Sequence, residues 1–175
     1  MSNLRLINET TVSSSVSNVD VTDVFSADFD IYKITTSRFT TVSTTHTDLD
    51  GRFIKSSGSV VSSSSYDTAH LNLKAETSFS ETRLTNQTEI SSIFGSADDS
   101  PEGGGTASYI FNPFSNSSYT FGLFQVSSNL NGVHRSRKGI TVLKSTASIT
   151  GFRIVGVSAN VDEGIVRTYG LRVDS

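Results

Sequence analysis

Ile149-Thr150-Gly151-Phe152-Arg153-Ile154, followed by Gly164-Ile165-Val166-Arg167-Thr168-Tyr169-Gly170-Leu171-Arg172-Val173, decides the fold class. Both stretches, the first extending from Ile149 to Val157, cluster β-branched and aromatic residues and carry glycine where a helix would lose stability. They read as two strands, and the rest of the chain repeats the pattern. Asp28 to Thr36, Asp50 to Lys55, Tyr66 to Lys74, Ala107 to Asn112, Tyr119 to Val126 and Lys138 to Lys144 each form a short run of the same kind, bounded by polar turn clusters. Together they predict an all-β, jelly-roll-like β-sandwich of about eight or more short strands.

The chain has 175 residues, enough for one domain with its own core, and residues 1–175 are read as a single sandwich. Residues 1–25, crowded with Thr and Ser, read as an edge strand or as an N-terminal arm that pairs with a neighbouring subunit. Ser and Thr reach roughly twice their usual share, which favours strands and turns. The net charge of −3 gives no basic field for nucleic acid. Cysteine is absent, so disulfides, thiolate metal sites and thiol nucleophiles are excluded together. No apolar run approaches the ~18 residues of a membrane span, and Met1 to Leu6 lacks the features of a signal peptide; synthesis in a cytoplasm and no membrane partner are expected.

Catalytic patterns are weak. His46, His70 and His134 have no ligand-type spacing, and His70 is expected to face solvent opposite Leu71 and Leu73, which with Ala69 would form the buried side of one strand. No Gly-x-Ser-x-Gly elbow singles out a serine. Asp48-Leu49-Asp50-Gly51 lacks the later carboxylates of a calcium loop and reads as a turn entering a strand. Gly95 to Gly105, with Asp98-Asp99-Ser100-Pro101 and three consecutive glycines, reads as an exposed loop. The acidic pairs Asp98–Asp99 and Asp162–Glu163 are adjacent in turns, whereas glycoside cleavage needs carboxyls opposed across a cleft. No catalytic, metal or cofactor site, and hence no enzyme, is predicted.

Two features point to contact instead. Tyr109-Ile110-Phe111-Asn112-Pro113-Phe114 and Tyr119-Thr120-Phe121-Gly122-Leu123-Phe124 flank a turn and predict a hairpin. Its alternation fills the core from one face and leaves aromatics on the other, to be covered by the second sheet, a loop or another subunit. Arg135-Ser136-Arg137-Lys138 is the basic cluster of the chain and reads as a turn before a strand that begins at Gly139.

Leu6-Ile7-Asn8-Glu9-Thr10, Val19-Asp20-Val21-Thr22-Asp23-Val24-Phe25 and Asp28-Phe29-Asp30-Ile31-Tyr32-Lys33-Ile34 resemble virion structural proteins of tailed bacteriophages, notably those of marine bacteria. Arg52-Phe53-Ile54, Lys138-Gly139-Ile140, the Tyr109 to Phe114 block and Gly164-Ile165 with Tyr169-Gly170-Leu171 extend the resemblance over nearly the whole chain. It implies a jelly-roll module carried on a virion, as capsid decoration (cement) protein, head fibre or tail appendage. The absence of a heptad-bearing stalk favours a subunit docked on the capsid, in contact with the major capsid protein and with itself as a homotrimer. Leu4, Leu6 and Ile7 of the opening segment and Arg135, Arg137 and Lys138 of the basic cluster are the expected partner contacts. The alternative is a tail-associated module that binds host glycan through exposed groups such as Tyr66, Asp67, Asn131 or Gly103 to Gly105.

Overall fold

A computed structural model describes residues 3–43, 49–76, 78–97, 102–130 and 132–171. His46, Asp48, Asp98 to Pro101, Asn131, Arg172 and Val173 lie outside the described residues. Twelve strands run in chain order as β1 (Leu4–Val12), β2 (Asn18–Val21), β3 (Ile31–Thr41), β4 (Leu49–Lys55), β5 (Tyr66–Lys74), β6 (Ser80–Gln87), β7 (Ile90–Phe94), β8 (Gly104–Phe111), β9 (Thr120–Leu130), β10 (Val133–Leu143), β11 (Ile149–Gly156) and β12 (Val161–Leu171). They form an eight-stranded sheet in the order β1-β12-β3-β8-β9-β10-β5-β6 and a four-stranded sheet in the order β2-β11-β4-β7. Pairings between these strands are antiparallel, and among the described residues there is no helix. The expected β-sandwich is therefore the fold, with β1 an edge strand hydrogen-bonded to β12 along its length.

The core lies between the sheets. Phe25, Phe152 and Phe94 stack in series with ring centroids 6.0 and 6.1 Å apart. Ile34, Ile110, Phe124, Val126 and Val166 meet this stack from the large sheet. Two buried tyrosines tie strands to loops: Tyr32 Oη accepts from the Ser26 N–H at 2.7 Å and donates to the Ser26 carbonyl at 2.9 Å. Tyr66 Oη accepts from the Phe53 N–H at 2.9 Å and donates to the Val61 carbonyl at 3.2 Å, joining β5 to β4. Each bond satisfies a backbone group that burial would otherwise leave at a cost.

Tyr66 also fixes which side of β5 faces inward. With its ring under the small sheet, period-two alternation turns Thr68 and His70 inward and Ala69 and Leu71 outward. The expectation of a solvent-facing His70 is thus corrected: it is 7% exposed, its ring edge-on to Phe124, while Leu71 is 43% exposed. Thr68 on the same inner side shares a hydrogen bond with Thr141 of β10 at 3.2 Å.

Three further readings change. Arg135-Ser136-Arg137-Lys138 is not a turn but the middle of β10, paired with β9 and β5 on either side. Gly104 and Gly105 open β8, and a Cβ on Gly104 would fall 2.5 Å from the Ser96 nitrogen; glycine there permits a close backbone approach. Leu49-Asp50-Gly51 lies in β4, where the buried Asp50 carboxylate accepts the Ser92 N–H at 2.7 Å.

Candidate functional site

Cross-strand register lines up the outward side chains of the large sheet in rows. One row runs Leu6, Tyr169, Lys33, Tyr109, Leu123, Ile140, Ala69, Arg83, one residue from each of the eight strands in spatial order. The row on one side of it includes Leu4, Leu171, Ile31, Phe111, Phe121 and Val142. The row on the other side includes Glu9, Arg167, Ala107, Gln125, Lys138, Leu71 and Glu81. A solvated antiparallel face normally reads polar. Here Tyr109 (38% exposed), Phe121 and Leu123 (both 47%) and Ile140 (58%) form an apolar band open to solvent.

The band is hollowed where it crosses β8, β9, β10, β5 and β6. Two overlapping depressions of about 500 and 560 Å³ share Leu123, Ile140, Ala69 and Arg83. Those volumes lie in the range of ligand-sized clefts. Leu123 and Ile140 make the floor, with Tyr109 toward β8 and Arg83 toward β6 on either side.

Charges are spread unevenly over this face. Glu9 is held by Arg167 at 2.6 Å, Asp67 by Lys144 at 2.9 Å, and Glu81 by Arg83 at 2.8 Å. The Lys144 ammonium, aided by the Asn86 N–H, keeps the Asp67 carboxyl below its ordinary range. Lys33 and Lys138 have no ion pair among the described residues; the Lys33 ammonium stands 6.0 Å from the centre of the Tyr109 ring. The groove is therefore apolar at its floor with Lys138 on its rim, and the second cation without an ion pair, Lys33, stands just outside it on β3 beside Tyr109.

Both free edges of the large sheet are interrupted. β1 has a register shift between Leu6 and Asn8. β6 has its irregularity opposite Tyr66 to Thr68, with Asn86 at φ 55° and its N–H turned to Asp67. Bulges and charges of this kind discourage strand addition, so the face is the more open surface.

The sequence-derived contact residues separate. Leu4, Leu6 and Lys138 lie on the apolar face. Ile7, the residue at the bulge, packs against the core. Arg135 and Arg137 project to the other side of β10, beside a polar depression of about 300 Å³ shared with His70 and Asn72, and Arg137 Nε donates to Asn72 Oδ1 at 3.0 Å. Among the proposed glycan contacts Tyr66 is fully buried, and Gly104 is buried in β8. The band itself was missed as a unit because rows across a sheet depend on register, which no single strand displays. Its one sequence signal was the surplus of aromatics in the Tyr109 to Phe124 hairpin.

No family model matches the sequence, and no curated protein does. Among solved structures, an exo-inulinase from Aspergillus awamori is similar with a TM-score of 0.37 and 10% identity, over 97% of this chain and 29% of that one. A fructofuranosidase from Schwanniomyces occidentalis is similar with a TM-score of 0.20 and 6% identity, over 95% of this chain and 34% of its own. The chain thus spans about a third of the length of either, and likeness at this level carries no argument about activity. Among the described residues no group of three or more His, Asp or Glu converges as a metal-binding set.

Proposed function

We propose that this chain is a bacteriophage virion structural protein, a non-catalytic, jelly-roll-like sandwich that decorates or cements the capsid shell by docking the apolar face of its large sheet. The apolar band through Tyr109, Leu123 and Ile140 is the observation that carries the reading, together with the sequence resemblance to virion proteins. Eight strands at ~4.8 Å spacing and roughly 20 Å of strand length give a face of about 750 Å². That is close to the ~800 Å² that each partner contributes to a stable protein interface. Contacts of this size made only on the assembled shell would oppose its rupture by mass action. In a homotrimer, three copies set side by side would turn three such faces to the major capsid protein.

A tail-associated module that binds host glycan is the second reading, favoured by the half-exposed Tyr109 and Phe121 rings, on which sugars could stack. Its weakness is the aliphatic floor of Leu123 and Ile140, which leaves hydrogen bonding to sugar hydroxyls to rim groups such as Arg83, Gln125 and Lys138. Cryo-electron microscopy of virions carrying labelled protein tests the pair. Density at many symmetry-related shell positions is expected; density confined to the tail would overturn decoration and favour the glycan reading.

A further inference from the structure

We propose that the occupant of the groove is an extended segment of a partner protein that leaves the groove over Tyr109 toward Lys33 and brings apolar side chains flanked by two carboxylates, which rests on the docking reading of the same face. Charge decides the polarity of the partner. Glu9, Asp67 and Glu81 are each engaged by a cation of this chain, whereas Lys33 and Lys138 have no carboxylate within ion-pair distance among the described residues. A partner that covered the band with neutral groups would bury two ammonium groups uncompensated, which is costly.

Spacing decides its shape. Lys33 on β3 and Lys138 on β10 are three strand steps apart in the order β3-β8-β9-β10, and Lys138 sits one pleat repeat from the Lys33 row. Strand spacing of ~4.8 Å and a two-residue rise of ~6.7 Å place them about 16 Å apart. An extended segment covers that span in roughly five residues at ~3.3 Å each. Two acids four to six residues apart, with Leu, Ile, Phe or Val between them over Tyr109 and Leu123, match the pattern. A single-headed fatty acid reaches one lysine and not both. A second copy of this face is the wrong partner, because its own carboxylates are engaged and it brings two more lysines and a second hollow.

The test uses the full-length protein, immobilised, and a displayed library of random dodecapeptides. Enrichment of peptides with an apolar centre and two Asp or Glu at that spacing is expected. Synthetic copies of the enriched peptides should bind wild-type protein at least tenfold more tightly than Lys33→Glu or Lys138→Glu, and replacing the facing acid by Lys should restore binding to Lys138→Glu. Lys138→Glu and Lys33→Glu must keep the wild-type Tm. Failure of any peptide to enrich, enrichment of neutral or basic peptides, or indifference to both lysine reversals would overturn the proposal. So would tighter groove binding by dodecanoate or by laminarin, scored by loss of that binding in Ile140→Asp. The docking reading stands or falls separately: it fails if Ile140→Asp protein still associates with particles, whatever the peptides do.

Discussion

The outer faces of the two sheets are opposites. Across the small sheet, Asp20, Arg153 and Arg52 stand side by side in register, Arg153 gripping Asp20 through two bonds of 2.6 Å and Arg52 meeting Glu89 at 2.9 Å. Across the large sheet the corresponding row reads Tyr109, Leu123, Ile140. Both faces belong to antiparallel sheets that cover the same core, so folding alone asks the same of each. A face that leaves an apolar row open to solvent while its counterpart presents a charged row is what the proposed docking contact accounts for, since covering the core requires neither.

The sharpest way to break this comparison is to exchange the character of the two faces. Leu123→Asp with Ile140→Asp should reduce association with particles by at least 100-fold and leave the Tm of the free protein nearly unchanged, since both side chains are about half exposed already. Arg153→Ala on the small sheet should do neither, costing up to about 1 kcal/mol as expected for a surface ion pair. Co-sedimentation with particles and thermal melts separate the outcomes; equal loss of association in both variants would remove the distinction between the faces.

Inside the sandwich the contrast is between hydroxyls that are used and hydroxyls that are not. Tyr66→Phe should cost about 1–3 kcal/mol in urea unfolding, because the Phe53 N–H and the Val61 carbonyl lose their buried partner. Thr168 is fully buried and its Oγ1 has no hydrogen-bond partner among the described residues. Thr168→Val keeps its shape and should stabilise by about 1 kcal/mol. Loss of stability in Thr168→Val would show that its hydroxyl is satisfied.

These pairs also explain what could be read from the sequence. Strand positions were legible because alternation is local: Tyr66 to Lys74 has the predicted bounds, and the Phe111–Phe121 hairpin pairs as expected. β6 and β7 were not, because Ser80–Gln87 and Ile90–Phe94 are held in their sheets by neighbours and not by apolar alternation of their own. Alternation tells that two faces exist but not which is buried. On β5 the more apolar set, Ala69 and Leu71, pointed to the wrong face; the buried anchor Tyr66, at one end of the strand, decided it. The groove followed from that inversion, so its floor stayed hidden while Leu6 and Lys138, named for other reasons, fell on its face.

The smallest effect sharpens the comparison at the groove's rim. Asp67 is held below its ordinary carboxyl range by the Lys144 ammonium and then by the Asn86 N–H. A carboxyl that is more acidic in the folded protein than in the unfolded chain stabilises the fold above its unfolded pKa, about 3.9, and that contribution is lost as pH falls through the lower folded value. Asp67→Asn lacks this dependence. The difference in Tm between wild type and Asp67→Asn should therefore be constant from neutral pH down to about 5 and narrow as the pH falls below about 4. Because Lys144 also donates to Asn86 Oδ1 at 2.8 Å, the same acidification loosens the bulge that interrupts the β6 edge. Amide exchange at Asn86 should accelerate, relative to its intrinsic rate, in that acidic window and not above it. A gap in Tm that widens on acidification would show that Asp67 is not engaged by Lys144, and would add a free carboxylate to a face whose charge is otherwise set by Lys33 and Lys138.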